Sequence, residues 1–128
     1  MRSVMTTPEK SEEISELYRI FEDAVAKNDV DKLLTQFYTP EVAFVGTGLP
    51  LSQGEVVKDI LGGLCGAAES VRVEQLQSLT VEPGKVIIDF AIVHVNGSDG
   101  SEFSDRSTCI FHKGADGWRC VADVFVRD

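Results

Sequence analysis

The hydrophobic period of the chain changes once, near Ser70, and that change limits the folds open to it. Before it, apolar residues recur at helical spacing. Ile14, Leu17, Tyr18, Phe21 and Val25 lie at offsets of three, four, seven and eleven, which is one stripe of an amphipathic helix. After it, apolar and polar residues alternate with period 2. The alternation is cut by three turn signals, Glu82-Pro83-Gly84-Lys85, Asn96-Gly97-Ser98-Asp99-Gly100 and Gly114-Ala115-Asp116-Gly117. Four strands are predicted, over 71–81, 86–95, 102–113 and 118–126. Helices first and a long meander afterwards predict an α+β domain with its helices packed on one face of an antiparallel sheet.

The helical half divides further. Residues 1–6 read as a tail and 7–128 as one domain. Thr7 is a cap with Pro8 at the first helical position. Asp29 caps a short second helix that carries Leu33, Leu34 and Phe37 and stops at Pro40. Val42-Ala43-Phe44-Val45 is a short strand, and Gly46-Thr47-Gly48-Leu49-Pro50 a loop. Ser52-Gln53-Gly54-Glu55 has the spacing of a capping box, opening a third helix with Val56, Val57, Ile60, Leu61 and Leu64. Gly62, Gly63 and Gly66 weaken its far end.

Composition narrows the function classes. The 128 residues are the size of one domain, and 12 Lys and Arg against 21 Asp and Glu leave a net charge of −9. Such a chain lacks the clustered cations that bind nucleic acid or an anionic membrane surface. No apolar run approaches the length of a membrane span, and the first eight residues hold no signal-peptide core, so a cytoplasmic protein is expected. Three cysteines, Cys65, Cys109 and Cys120, have no Cys-x-x-Cys spacing and read as free thiols rather than a disulfide or zinc framework. Gly46-Thr47-Gly48 is too short for a phosphate loop. No cofactor and no metal is expected.

Setting Asn96 opposite Ser101 and Lys113 opposite Trp118 sorts the sheet into two faces. One carries Val86, Ile88, Phe90, Ile92 and His94, then Phe103, Asp105, Ser107, Cys109 and Phe111, then Trp118, Cys120, Ala122, Val124 and Val126. Being the more apolar, it is expected to meet the helices. On it His94 lies diagonal to Asp105, either as a general acid–base pair or as a hydrogen-bonded pair at the sheet edge. Phe21, Phe44, Phe90, Cys109, Trp118 and Ala122 would shape a cavity. The mixed face carries Arg106 diagonal to Asp89 and Asp123. That grouping reads as an ion cluster at a subunit interface, or as an anion site if this face lines the cavity.

The order of segments resembles the nuclear transport factor 2-like superfamily, which includes ketosteroid isomerase and the SnoaL-like polyketide cyclases. The likeness runs from about Glu13 to Phe125. It rests on Phe21-Glu22-Asp23-Ala24-Val25-Ala26-Lys27-Asn28-Asp29 with Leu33 and Phe37, on Phe44, on Pro50-Leu51-Ser52-Gln53-Gly54, and on Arg106-Ser107-Thr108 through Asp116-Gly117-Trp118-Arg119. The resemblance implies a cone, a curved sheet around helices enclosing an apolar pocket, and a homodimer through the outer sheet face.

It also implies three catalytic positions for the isomerase. The Tyr donor falls at Phe21, the base at Val45 or Gly46, and the protonated Asp at Cys109 or Thr108, so none has a suitable side chain. A true ketosteroid isomerase is therefore not expected. A cyclase of this type needs a pocket acid, for which Asp105 is nearest, with Tyr18 one turn before Phe21 as donor. The expected function is binding of a small apolar organic molecule, with cofactor-free isomerisation, cyclisation or hydration by His94, Asp105 and Tyr18. The alternative is a non-catalytic ligand-sensing or association module.

Overall fold

The structure, a computed structural model, describes residues 9–127. The predicted tail and the Thr7-Pro8 helix start lie outside them. Helix α1 spans Glu12–Ala26, with the Ser11 hydroxyl accepting from the Ile14 N–H as its cap. Its stripe Ile14, Leu17, Tyr18, Phe21 and Val25 is buried, as the spacing predicts. Asp29 caps α2, Val30–Lys32, through the Lys32 N–H. The chain then widens into a π-helical turn, Leu33–Phe37, which buries Leu33 and Phe37 before strand β1 begins.

Strand β1 is Tyr38–Gly46, β2 is Leu49–Ser52, and α3 is Glu55–Ala67. The second strand takes the place of the predicted loop. The capping box is not made. Gly54, at φ 74°, is the residue before α3, and the Ser52 hydroxyl donates to the Pro50 carbonyl instead. The meander follows as β3 (Ala68–Glu82), β4 (Val86–Gly97), β5 (Glu102–Gly114) and β6 (Gly117–Arg127). The six strands form one sheet in the order β2-β1-β6-β5-β4-β3, antiparallel throughout except that β1 runs parallel to β6.

Helix α1 also covers the open edge of β3. The Glu22 carboxylate accepts from the Val73 N–H at 2.7 Å, and the Arg19 guanidinium donates to the Val73 carbonyl at 3.2 Å. Ahead of the helix, the Glu9 carbonyl accepts from the Ser78 N–H. These bonds occupy backbone groups that an edge strand otherwise presents for pairing with another chain. Some of the acidic residues of α1 are therefore structural.

Two irregularities decide which side chains face the helices. The β4–β5 hairpin pairs Asn96 with Glu102 and closes with the Gly97 N–H on the Ser101 carbonyl, so three residues form its tip. This is one residue off the predicted register, and it turns β4 over. Ile87, Asp89, Ala91 and Val95 are buried, while Ile88, Phe90, Ile92 and His94 lie on the outer face. In β6 the pairing steps from Phe111–Cys120 to Ile110–Ala122, leaving Val121 as a bulge. Trp118 and Cys120 face inward as predicted. Beyond the bulge the inward residues become Asp123, Phe125 and Arg127, and Ala122, Val124 and Val126 turn outward. The predicted face of β5 stands.

The site depends on how closely β1 and β6 approach. A Cβ on Gly46 would lie 2.5 Å from the Phe125 ring, so only glycine lets that ring lie over β1. Gly46→Ala is expected to lower stability by about 1–3 kcal/mol in urea unfolding. Adding Phe125→Leu should recover part of that loss. A Gly46→Ala variant as stable as the parent would overturn the account.

Candidate functional site

The inner face of the sheet is laid out in rows that cross the strands. The row at the cavity floor runs Ser78, Asp89, Cys109, Asp123, Phe44 and Ser52, one residue from each strand, and all six are buried. The next is Gln75, Ala91, Ser107, Phe125 and Gly46, the one after it is Val73, Val93, Asp105 and Arg127, and beyond that Val95 and Phe103 also line the cavity. Against these rows α1 brings Phe21, and α3 brings Ile60, Leu61 and Leu64. Between them is a cavity of about 410 Å³. That is within the range of small-molecule sites, and its lining is mainly apolar. A narrow extension of about 20 Å³ continues inward past Tyr18, Phe37 and Cys109.

Two carboxylates share the floor row, and their surroundings differ. Asp89 is 0 % exposed and fully engaged. It accepts from the Tyr18 hydroxyl at 2.6 Å, from the Gln75 amide at 2.9 Å and from the Ser78 hydroxyl. Ser78 also accepts from the Ser11 N–H, so this network fastens the start of α1 to the sheet. Asp123, 9 % exposed, lines the cavity. Its Oδ2 accepts from the Tyr38 hydroxyl across a long 3.4 Å, and its buried Oδ1 has no hydrogen-bond partner among the described residues. Burial pushes the Asp123 carboxyl up to about 7. The Tyr38 hydroxyl and the nearby Cys109 thiol pull the other way, and the negative charge of Asp105 adds to the rise.

The remaining groups are set by burial. Tyr38 is held well above its ordinary value by desolvation and by the neighbouring Asp123, so its hydroxyl keeps its proton. Burial and the charge on Asp89 do the same for Tyr18, whose hydroxyl is committed to Asp89. Hydrogen bonding to Cys120 and burial raise the Cys109 thiol, and desolvation raises Cys120, so both are inert thiols. Among the described residues no group of three or more His, Cys, Asp or Glu side chains is placed to hold a metal ion.

The sequence-predicted site is only partly assembled. Phe21 and Phe44 line the cavity, Cys109 lines its extension, and Asp105 lies at its mouth. His94 is on the other side of the sheet from Asp105. Its ring contacts Glu74 at 3.0 Å and Ser104 at 2.9 Å, so the predicted acid–base pair does not form. The carboxylate of Asp105 is held instead by Arg127. Phe90 and Ala122 face outward because of the two register changes. Trp118 is buried in the core with its indole N–H on Glu13, and it does not line the cavity. The predicted cluster of Asp89, Arg106 and Asp123 is split. Arg106 is exposed on the outer face between Ile92 and Val126, and both carboxylates are inside.

The residues not foreseen are Asp123 as the floor acid, Tyr38 as its donor, and Arg127. The available signal was the position of Asp89 and Asp123 as lone acids within apolar strand runs, Val86-Ile87-Ile88-Asp89-Phe90 and Val121-Ala122-Asp123-Val124-Phe125. An acid is almost never fully buried unless it is paired, so a lone acid inside an apolar strand run marks a position that needs a partner or a function.

A curved six-stranded sheet wrapped around helices and open at one end defines an α+β cone. No protein-family model matches the chain, and no curated protein matches it. Solved structures do. A candidate dehydratase of the nuclear transport factor 2-like family from Streptomyces avermitilis superposes with a TM-score of 0.74 at 16% identity, covering 91% of this chain and 94% of its own. A candidate calcium/calmodulin-dependent protein kinase II association domain from Xanthomonas campestris gives 0.73 at 13% identity, covering 98% of each chain. A protein with a cystatin-like fold from Nostoc punctiforme gives 0.72 at 17% identity, covering 91% and 89%. The chain has the nuclear transport factor 2-like, cystatin-like fold, as its order of segments implied.

The unusual carboxyl has a measurable consequence for stability. The ordinary value for Asp123 is 3.8 and its folded value about 7. Between them the native state holds a proton that the unfolded state has released. The contribution is therefore full below 3.8 and is lost as pH rises through 7. Asp123→Asn should gain on the parent protein across that window, by up to about 4 kcal/mol at 1.36 kcal/mol per unit. Urea unfolding of both proteins from about pH 4 to 8 measures it. A constant difference across the window would place Asp123 at an ordinary acidity.

Proposed function

We propose that the protein binds a small, largely apolar organic molecule in the cone and moves a proton on it without a cofactor. Asp123 is the acid–base and Tyr38 the hydrogen-bond donor. The observation that carries this reading is the Asp123 carboxyl itself, buried on the cavity floor, short of hydrogen bonds and with an acidity near neutrality. An acid–base group works best when its acidity lies near the operating pH. Tyr38 stays protonated there, and its long bond to Asp123 can be exchanged for one to a substrate oxygen. Such a pair suits isomerisation, cyclisation or dehydration at a carbon next to a carbonyl. The dehydratase name carried by one structural relative agrees with this class.

The outer sheet face supports a homodimer in this reading. Ile88, Phe90, Ile92, Thr108 and Ile110 lie on it, with Val124 and Val126 44% and 46% exposed. An apolar sheet face of this kind is an association surface. It also favours a second reading, an association module that uses this face and not the cavity; one structural relative is named as an association domain. No helix among the described residues is long and apolar enough to cross a membrane. The cytoplasm is the proposed location.

Incubation with cyclic ketones in D₂O, followed by NMR, tests the enzymatic reading through deuteration next to the carbonyl. Asp123→Asn should abolish the enhancement, and Tyr38→Phe should lower it about 10- to 100-fold. Ketones that bind without any deuteration above the Asp123→Asn level would leave the association module as the better account. Light scattering should give a dimer at micromolar concentration, and Ile92→Glu on the outer face should give a folded monomer. A monomeric parent protein would remove the dimer from the reading.

A further inference from the structure

We infer that Asp105 and Arg127, at the mouth of the cavity, select the ligand by charge, admitting neutral molecules and turning away carboxylates and other anions. This rests on the ligand-binding reading above and adds the class of ligand. The two residues are direct cross-strand neighbours and both line the cavity, with the Arg127 side chain 48% exposed. The Arg127 guanidinium meets the Asp105 carboxylate with both prongs, Nε on Oδ1 at 2.9 Å and Nη2 on Oδ2 at 3.1 Å. Its flat face lies 4.2 Å from the centre of the Phe103 ring. A fork used in this way fixes the arginine in place and consumes its charge locally.

An arginine at a pocket mouth ordinarily attracts anions. Here the cation is already matched by a carboxylate whose side chain is only 14% exposed. An incoming carboxylate would have to displace Asp105, and the displaced charge would remain at the same mouth. A second acid, Asp99, also lines the cavity there. Its carboxylate accepts from the Ser101 N–H, and the hydrogen bonds of Ser101 hold its pKa below the ordinary carboxylate value, so it stays charged. Among the described lining residues, Asp99 and Asp105 there set two negative charges against the one positive charge of Arg127. A neutral ligand breaks no ion pair on entering.

The geometry also sets a size. Asp105 and Cys109 are four residues apart on β5, and Arg127 and Asp123 are four apart on β6. At a strand rise of ~3.3 Å per residue the Asp105–Arg127 pair lies about 13 Å from the floor row. Ser107 and Phe125 occupy the row between. A neutral molecule with a fused two-ring body and one polar group spans that depth.

A matched pair of probes isolates the charge. 2-Naphthamide and 2-naphthoate have nearly the same shape, and only the second is an anion. Binding of each is measured by calorimetry or NMR titration at about pH 6, where Asp123 keeps most of its proton. The parent protein should bind the amide about tenfold more tightly or better, as expected for one unmatched charge at close range. Asp105→Asn releases the guanidinium and should tighten naphthoate about tenfold with little change for the amide. Arg127→Gln leaves the acids unopposed and should weaken naphthoate further. Circular dichroism shows whether each variant is folded. Equal binding of the two probes by the parent protein, or an equal loss of both in Asp105→Asn, would overturn the proposal and leave the pocket reading standing. Failure of the folded parent protein to bind either probe would overturn both.

Discussion

The bulge at Val121 is the constraint on which the chemistry of the cavity depends. A regular β6 would keep the alternation begun by Trp118 and Cys120, placing Ala122, Val124 and Val126 inside and Asp123, Phe125 and Arg127 outside. One extra residue reverses that assignment halfway along the strand. The inner half keeps two residues that pack, and the outer half supplies an acid, a ring and a cation to the cavity wall. The same residue sends the two valines outward, where they extend the apolar surface formed by Ile88, Phe90 and Ile92 on β4. A single irregularity thus shapes both faces.

The floor row shows how two identical side chains acquire different roles. Asp89 and Asp123 are both buried and flank Cys109 in the pairing pattern. Three donors converge on Asp89, from α1 and β3, and between them they reach both carboxylate oxygens. Its burial is offset by those bonds, and the result is a tie between helix and sheet. Asp123 receives one long bond from Tyr38, and its other oxygen has no hydrogen-bond partner among the described residues. Desolvation therefore prevails there, and the neutral form is favoured. The distinction lies in the hydrogen-bond donors, and distance from the surface does not make it.

What could be read from the sequence follows the range of the interactions involved. The change of period at Ser70 placed three helical segments before a four-stranded meander, and the stripe on α1 was correct residue by residue, because amphipathic periodicity is local. The inward face of β5 was also correct. The errors came from single-residue events. A three-residue hairpin tip where one of four was assumed turned β4 over and took His94 and Phe90 to the outside. Val121 did the same to the second half of β6. The start of α1 belongs at Ser11 and not Thr7, because the preceding residues pair with β3 through Ser78, a contact 67 residues away in sequence. Period-2 patterns show which residues share a face within a regular strand, but not where a strand loses step. That is why Asp89 and Asp123 were placed with Arg106 on the outer, subunit-interface face although each stood alone among apolar neighbours.

The cone accepts two local costs at one place. Its sheet curves away from α3 and leaves about 410 Å³ unfilled, and Asp123 is buried without enough partners. Unfilled apolar space forgoes packing energy, and an unsatisfied carboxyl forgoes hydration. The wall opposite is also weakly supported. Helix α3 contains Gly62, Gly63 and Gly66, has no side-chain cap at Gly54, and still contributes Ile60, Leu61 and Leu64 to the cavity. Elsewhere the core is tightly built, with Phe37 in contact with Tyr18, Phe21, Tyr38 and Phe111. An apolar molecule with one hydrogen-bonding group would relieve both costs together, its body filling the space beside α3 and its polar atom reaching Asp123 and Tyr38. The stability that the empty fold forgoes is thus concentrated where a bound molecule can restore it.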